Sequence, residues 1–275
     1  MVTGKRITDL PEAVELAKLV ERLSKVPIEF AAELLETPEE NILALSQELA
    51  KGGDIKIIDR VMFHHSPRVE QGYLQRMRSH HLEKFNIARE AMQHIQAGMK
   101  VGIEAGSTLT LFAERLASIS PLEVHTNFYP VGAALMRNSS GISVHMSGGT
   151  MLCDGAGVVG LQALAHFESR DLDVVVLSPT AINAEGELMY YREESAQLVK
   201  VMMQCAKQTI VLCHAAKIGS QSWFCAGHVR DASVLVTDCS LGAQAEALLK
   251  KNGLQSLEVA VLEEDVPSEL VVLDI

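Results

Sequence analysis

From residue 99 onward, short apolar runs rich in β-branched residues alternate with amphipathic stretches, and no other feature of the chain restricts its fold as much. The runs occupy residues 101–104, 122–126, 142–146, 174–177, 210–213, 234–237 and 257–262. Between them, residues 108–116, 130–137, 156–167, 194–206 and 243–250 carry apolar residues at helical spacing. A strand that is apolar on both faces must be covered on both, and a helix after each strand supplies that cover. The pattern therefore predicts an α/β fold with a Rossmann-like, mostly parallel, doubly wound sheet.

Residues 1–63 follow another pattern. Leu10, Val14, Leu16, Leu19, Val20 and Leu23 have helical spacing, with Asp9 and Glu12 as an N-terminal capping pair and Pro11 in the first turn. A short helix over 27–35 places Phe30, Ala31, Leu34 and Leu35 together. A third, over 39–50, follows Thr37-Pro38, buries Ile42, Leu43, Leu45 and Leu49, and ends at Gly52-Gly53. Ile55, Ile57 and Ile58, then Val61 and Phe63, read as a β-ribbon. Three helices and a ribbon in this order predict a winged helix-turn-helix. Residues 64–98 read as a connector, interrupted at Pro67 and then one long helix over 69–97 with Arg76, Arg78, Lys84 and Arg89. The expected organisation is thus 1–63, 64–98 and 99–275.

Composition narrows the function. Of 275 residues, 48% are hydrophobic, too many for a disordered chain. No uncharged apolar stretch approaches the ~18 residues of a membrane span, and residues 1–18 lack an apolar signal core. A cytoplasmic protein without membrane attachment is expected. Five cysteines without CxxC read as buried free thiols. The histidines include His64-His65 and His80-His81 but no HxxxH or HExxH, so neither a metal nor another cofactor is expected. A net charge of −11 and 4% aromatic residues argue against a chain whose sole task is coating nucleic acid.

In open α/β sheets, ligands bind beyond the carboxyl ends of the strands, which ranks the loops. Glu104 to Thr108 follows a run and opens a helix. Gly106 permits a sharp turn, and Ser107 and Thr108 offer hydroxyls and N–H groups to a phosphate or carboxylate, or else simply cap the helix. Thr126-Asn127 ends the next run, where Asn127 can bind a polar ligand or form a turn. Gly148-Gly149 allows close approach of a ligand or a tight turn. Lys217, in His214-Ala215-Ala216-Lys217, can reach the crevice as a cation or lie on the surface. Asn183 and Glu185 complete the rim. The GxGxxG spacing ending at Gly157 and Gly160 follows no clear strand and reads as a helix start. Neither a phosphate-binding GxxxxGK[ST] nor a GxSxG nucleophile elbow is present.

The order "GIEAGST", "HTN", "SGG", "SPTAINAEG", "HAAK" and "VLVTD", behind a ribbon and connector, resembles the DeoR family of bacterial transcriptional regulators. The resemblance implies an N-terminal winged helix that binds operator DNA. It also implies a C-terminal domain, similar to sugar-phosphate isomerases, that binds a phosphorylated sugar or related anionic metabolite and controls DNA binding. On it, Gly106, Ser107 and Thr108 match a phosphate-cradling Gly-Thr-Thr, Thr126 and Asn127 a Thr-Asn, Gly148 and Gly149 a Gly-Gly, and Lys217 the lysine of Asp-Ser-Ser-Lys. Glu104 stands where the family usually has Asp, and His214, Ala215 and Ala216 replace Asp-Ser-Ser.

The recognition helix departs further. Its segment, residues 38–45, has Glu39 and Glu40 and no basic residue before Lys51. Residues 1–70 hold nine Lys/Arg against thirteen Asp/Glu, a net of −4. Because Lys/Arg contacts to phosphates supply most non-specific DNA affinity, binding would fall to Lys51, Lys56, Arg60, His64 and Arg68. Operator half-sites are usually read by two-fold dimers, so a homo-oligomer is expected. One alternative is a metabolite sensor without operator binding that acts on a protein partner. A sugar-phosphate-isomerase-like enzyme is another. Its acid–base work would fall to Glu104, Asp154 or Glu185, which no spacing pairs, so no enzyme is expected.

Overall fold

The computed structural model describes residues 11–23, 25–51, 55–58, 60–64, 72–138, 141–152 and 157–261. Arg68, His65 and Asp154, and the side chains of Lys56 and His64, lie outside that description. The chain forms two compact units, Met1–Glu70 with Ser220–Ser222, and Gln71–Gly219 with Trp223–Ile275.

The first unit runs α1 (Pro11–Leu23), β1 (Lys25–Pro27), α2 (Ile28–Leu34), α3 (Glu39–Lys51), β2 (Ile55–Ile58) and β3 (Val61–His64). Ala13, Leu16 and Val20 of α1 meet Ile42 and Leu45 of α3, and Val26, Ile28 and Met62 close the core. The strands form an antiparallel sheet of order β1-β3-β2. Arg60, with φ 60°, turns β2 back into β3. The three residues of β1 are too few to show a period. They are a strand because β3 pairs with them.

The second unit opens with α4 (Tyr73–Arg78), α5 (His81–Glu90) and a 3-10 turn, Ala91–His94. Where periodicity predicts one helix, the structure bends at His80, in the left-handed region at φ 50°. No Gly or Pro marks this break. The Lys84 ammonium donates to the carbonyls of Arg76 and Ser79 and so satisfies the orphaned end of α4 from the next helix. The rest runs β4 (Lys100–Ile103), α6 (Ser107–Leu116), β5 (Leu122–Thr126), α7 (Tyr129–Asn138), β6 (Ile142–Met146), β7 (Thr150–Leu152), β8 (Gly157–Val159) and α8 (Leu161–Glu168). It continues with β9 (Leu172–Leu177), β10 (Ala181–Ile182), β11 (Glu187–Tyr190), α9 (Glu193–Gln204), β12 (Ala206–Leu212), β13 (Phe224–His228), β14 (Val234–Asp238), α10 (Ala243–Lys251) and β15 (Leu257–Ala260).

All seven apolar runs of the sequence enter one parallel sheet, of order β15-β14-β12-β9-β4-β5-β6. Successive residues face opposite cores. Val174 and Val176 join Val101, Ile103, Val124 and Val236 under Ile87, Phe112, Leu116 and Leu135. Val175 and Leu177 join Leu172, Val211 and Leu235 under Phe167, Leu198, Met202 and Leu249. Two smaller sheets, β10-β11-β13 and β7-β8, lie outside the apolar runs. One corrects the reading of 157–160 as a helix start: Gly157–Val159 is β8, paired with β7, and α8 begins after Gly160. Among the described residues, no helix is long and apolar enough to cross a membrane.

Candidate functional site

Strand order reverses at β4. The chain builds β5 and β6 on one side of it and β9, β12, β14 and β15 on the other. The crevice beyond the carboxyl ends of β4 and β9 is therefore the topological switch point, where such sheets bind ligands. Residues from several loops meet there around Ser178-Pro179, just after β9. Glu104, buried at the end of β4, accepts hydrogen bonds from the Ser178 N–H and the Tyr190 hydroxyl, both at 3.0 Å. Lys217, from the turn after β12, donates to the Pro179 carbonyl at 2.9 Å. Gly106, at the start of α6, has its Cβ position 3.6 Å from the Ser178 Cβ, and Ser107 and Thr108 follow it, both buried.

The β5 side of the crevice is closed by β8. A Cβ on Gly157 would stand 2.8 Å from the Ala105 Cβ and 2.9 Å from the Asn127 amide nitrogen, so only glycine lets β8 seat there. Asn127 Nδ2 donates to the Val158 carbonyl at 3.1 Å, while its Oδ1, like the Ser147 hydroxyl, is buried with no partner among the described residues. Such groups want a partner. Thr126 Oγ1 accepts from the Phe128 N–H at 3.1 Å and is spent on the turn. Gly149 is also structural. At φ 136°, its Cβ would sit 2.4 Å from the Val159 carbonyl oxygen.

Asn183 and Glu185 are not brought to the crevice. They form the β10–β11 turn, where Asn183 Oδ1 accepts from the Glu185 and Glu187 N–H groups. That turn is held by Asn252, which donates to the Ala184 carbonyl from the end of α10 that leads into the amino end of β15. An open cleft of about 400 Å³, lined by Gln96, Met99, Asp173 and Lys207, also lies at the amino ends of the strands, away from the crevice.

Three crevice groups escape the sequence reading. Lys84 is 2% exposed. Burial, together with the charges of Lys217 and Arg76, pushes its pKa down from the ordinary 10.5 to about 7. His214, stacked on His80 at 4.5 Å between ring centroids, is pushed down to about 2, by burial first and then by Lys217, His80 and Lys84. Asp238, at the end of β14, accepts from the Ala215 N–H at 2.7 Å and so anchors the turn that carries Lys217. The strand-end rule could have found Asp238 in "VLVTD". Nothing local marks Lys84, a lysine in a helix where Lys84 and Arg89 are balanced by Glu83 and Glu90.

In the first unit, the two described basic candidates are paired with acids. Lys51 meets Glu48 at 2.5 Å. Arg60 meets Glu29 of α2 at 2.8 Å and Glu39 of α3 at 2.5 Å.

Residues 79–239 match the family described as the DeoR C terminal sensor domain, so the α/β unit is a sensor domain of that class. The match spans more than half of the chain, and the protein belongs to the DeoR family of transcriptional regulators. It is similar to the glycerol-3-phosphate regulon repressor of Haemophilus influenzae, with 26% identity over 229 residues that cover 81% of this chain and 87% of the relative. The L-fucose operon activator of Escherichia coli is 26% identical over 213 residues, 76% of this chain and 87% of that protein. These relatives are named as regulators, and regulation rather than catalysis is the activity of this chain. Ribose-5-phosphate isomerase A of Methanocaldococcus jannaschii is similar over 49% of this chain and 52% of the enzyme, at 16% identity and a TM-score of 0.36, too low to carry an argument.

Proposed function

We propose that the switch-point crevice binds a phosphorylated sugar or a similar small anionic metabolite, and that this binding controls operator recognition by the first unit. The carrying observation is the cluster of cations at the crevice. Lys84 is buried, and the charges of Lys217 and Arg76 oppose its protonation. Buried like charges are costly, and an anion between them removes the cost. The amino end of α6, with Ser107 and Thr108, adds N–H and hydroxyl donors and the positive end of the helix dipole. Asn127 Oδ1 and the Ser147 hydroxyl are suited to the polar, uncharged part of the ligand. Glu104 acts as a brace between β4 and β9.

Thermal shift against a panel of sugar phosphates, with inorganic phosphate alongside, tests this reading. A lysine–phosphate contact is a charge-assisted hydrogen bond worth about 1.5–3 kcal/mol, so Lys217→Ala should weaken binding roughly 10- to 100-fold. If no phosphorylated compound stabilises the wild type, or if Lys217→Ala responds equally, the crevice is not an anion site.

For the first unit, the order of three helices and a β2–β3 ribbon supports a winged helix-turn-helix, with α3 as the helix presented to DNA; Lys51 and Arg60 are its described basic candidates, and Lys56, His64 and Arg68 remain candidates from the sequence alone. A homo-oligomer fits two-fold half-sites. The pairing of Arg60 with Glu29 and Glu39 favours a second reading, a sensor that acts through a protein partner, because a neutralised arginine has little left for phosphates.

A further inference from the structure

The parallel sheet carries a second polar cluster where its core would lead one to expect apolar residues. On the face packed by α8 and α9, the inward residues of β9, β12 and β14 are Leu172, Val175, Leu177, Val211 and Leu235. At β5 and β6 the same face holds Glu123, His125 and His145. Val124 points into the opposite core, so its neighbours Glu123 and His125 point to this one. The parallel register sets His145 directly across from His125.

The three side chains converge. One ligating atom from each lies within 4.8 Å of the others. The His125 side chain is fully buried, with Nε2 2.8 Å from Glu123 Oε1 and its ring stacked on that of His145 at 4.8 Å between centroids. Its other nitrogen, Nδ1, is 3.1 Å from Nε2 of His166 on α8.

We propose that Glu123, His125 and His145 bind one divalent transition-metal ion, of which zinc is the test case, with His166 as the residue that orients His125. Two imidazoles and a carboxylate form a donor set suited to zinc and its neighbours rather than to calcium or magnesium. With bonds of about 2.0–2.1 Å, tetrahedral ligand atoms stand roughly 3.3 Å apart. The Glu123–His125 separation of 2.8 Å is shorter than that and must open slightly around an ion, and the two members that must adjust, His145 and Glu123, are the more exposed ones. If the His125 Nδ1–H is donated to His166, Nε2 is left to the ion, and His166 takes the outer place that a carboxylate, carbonyl or water commonly fills around a ligating histidine. Three protein ligands leave a position for water. A hydrogen-bonded chain from Glu123 through His125 to His166 would satisfy the buried ring, but it gives no role to the second histidine on edge strand β6. The ion would tie β6 to β5, whose next residues, Thr126 and Asn127, border the crevice.

No short motif announces this site, because its members lie on two strands and a helix and only the register joins them. The test uses the full chain, stripped of metal and titrated calorimetrically with Zn²⁺, with Co²⁺ absorption as a ligand-sensitive probe. One ion per chain is expected, bound at least tenfold more weakly by His145→Ala and by Glu123→Gln, and roughly 10- to 100-fold more weakly by His166→Ala. The Co²⁺ spectrum should lack thiolate charge-transfer bands. Both first-named variants alter exposed or half-exposed groups, and an unchanged melting temperature without metal verifies that they fold. The site is overturned if the wild type takes up no stoichiometric zinc, if either of those variants binds it as the wild type does, or if thiolate bands place the ion on cysteines.

Discussion

Arg60 of the first unit and Lys84 of the second are both basic residues in unremarkable sequence surroundings, and the fold treats them in opposite ways. Arg60 is 51% exposed in its side chain and lies between Glu29 and Glu39. Lys84 is 2% exposed, donates to two backbone carbonyls, and has the charges of Lys217 and Arg76 nearby. Exposed ion pairs contribute little to stability. A buried cation on which neighbouring cations act more strongly than the nearby Glu83 is costly to the folded state, and the proposed anion would offset that cost. Counting charge by region thus misleads: what a charged group costs the fold is a matter of burial and neighbours.

The largest expected effect tests whether the proposed anion binding belongs to the second unit alone. Phe112→Ala empties a fully buried position under the sheet and should cost about 3–5 kcal/mol in urea unfolding while abolishing the ligand-induced thermal shift. Leu16→Ala in the core of the first unit should cost about 2–5 kcal/mol and leave sugar-phosphate binding intact. Loss of binding in the Leu16 variant would show that the crevice is not self-contained.

A smaller effect sharpens the comparison through pH. Lys84 titrates at about 7 when folded and near 10.5 when unfolded. Between those values the unfolded chain holds the extra proton, so the ligand-free protein should gain stability as pH rises from about 7 toward 10.5, and the full cost should be present below 7. A bound anion favours the protonated amine, so affinity for sulfate, which keeps its charge, should fall over the same range. Melting curves across this window, with and without sulfate, should be flatter for Lys84→Met. Identical profiles in the two proteins would remove Lys84 from the site.

The smallest effect concerns the first unit. Glu29→Gln with Glu39→Gln releases Arg60 from both carboxylates, and the Arg60 guanidinium favours the charged form of Glu29. Stability should scarcely change, but non-specific DNA affinity should rise, with the salt-dependence slope steeper by about 1. Anisotropy titrations at several salt concentrations read this directly. An unchanged slope would mean that Arg60 does not face a duplex, in favour of a protein partner.

The seven strands and their covering helices were legible in the sequence because their signal is local: a strand such as 174–177 declares itself by its own apolar residues. The crevice was legible in part for the same reason. Glu104, Gly106, Ser107, Thr108, Asn127 and Lys217 stand just after such runs, and the structure places them near one another. Asn183 and Glu185 also follow a run, but β10 carries them away in a hairpin too short to leave a periodic trace.

Class of fold, number of parallel strands and the loops at their carboxyl ends were thus determined by the amino-acid sequence, through periodicities of two and 3.6 residues that need no knowledge of distant contacts. The order of those strands, with its reversal at β4, was decided only in the tertiary structure. So were the break at His80, the burial of Lys84 among cations, the pairing of Arg60 with Glu29 and Glu39, and the meeting of His125 with His145. Each of these depends on which segment lies beside which. That choice is made by the burial of whole faces and the register between strands, and no single segment carries it.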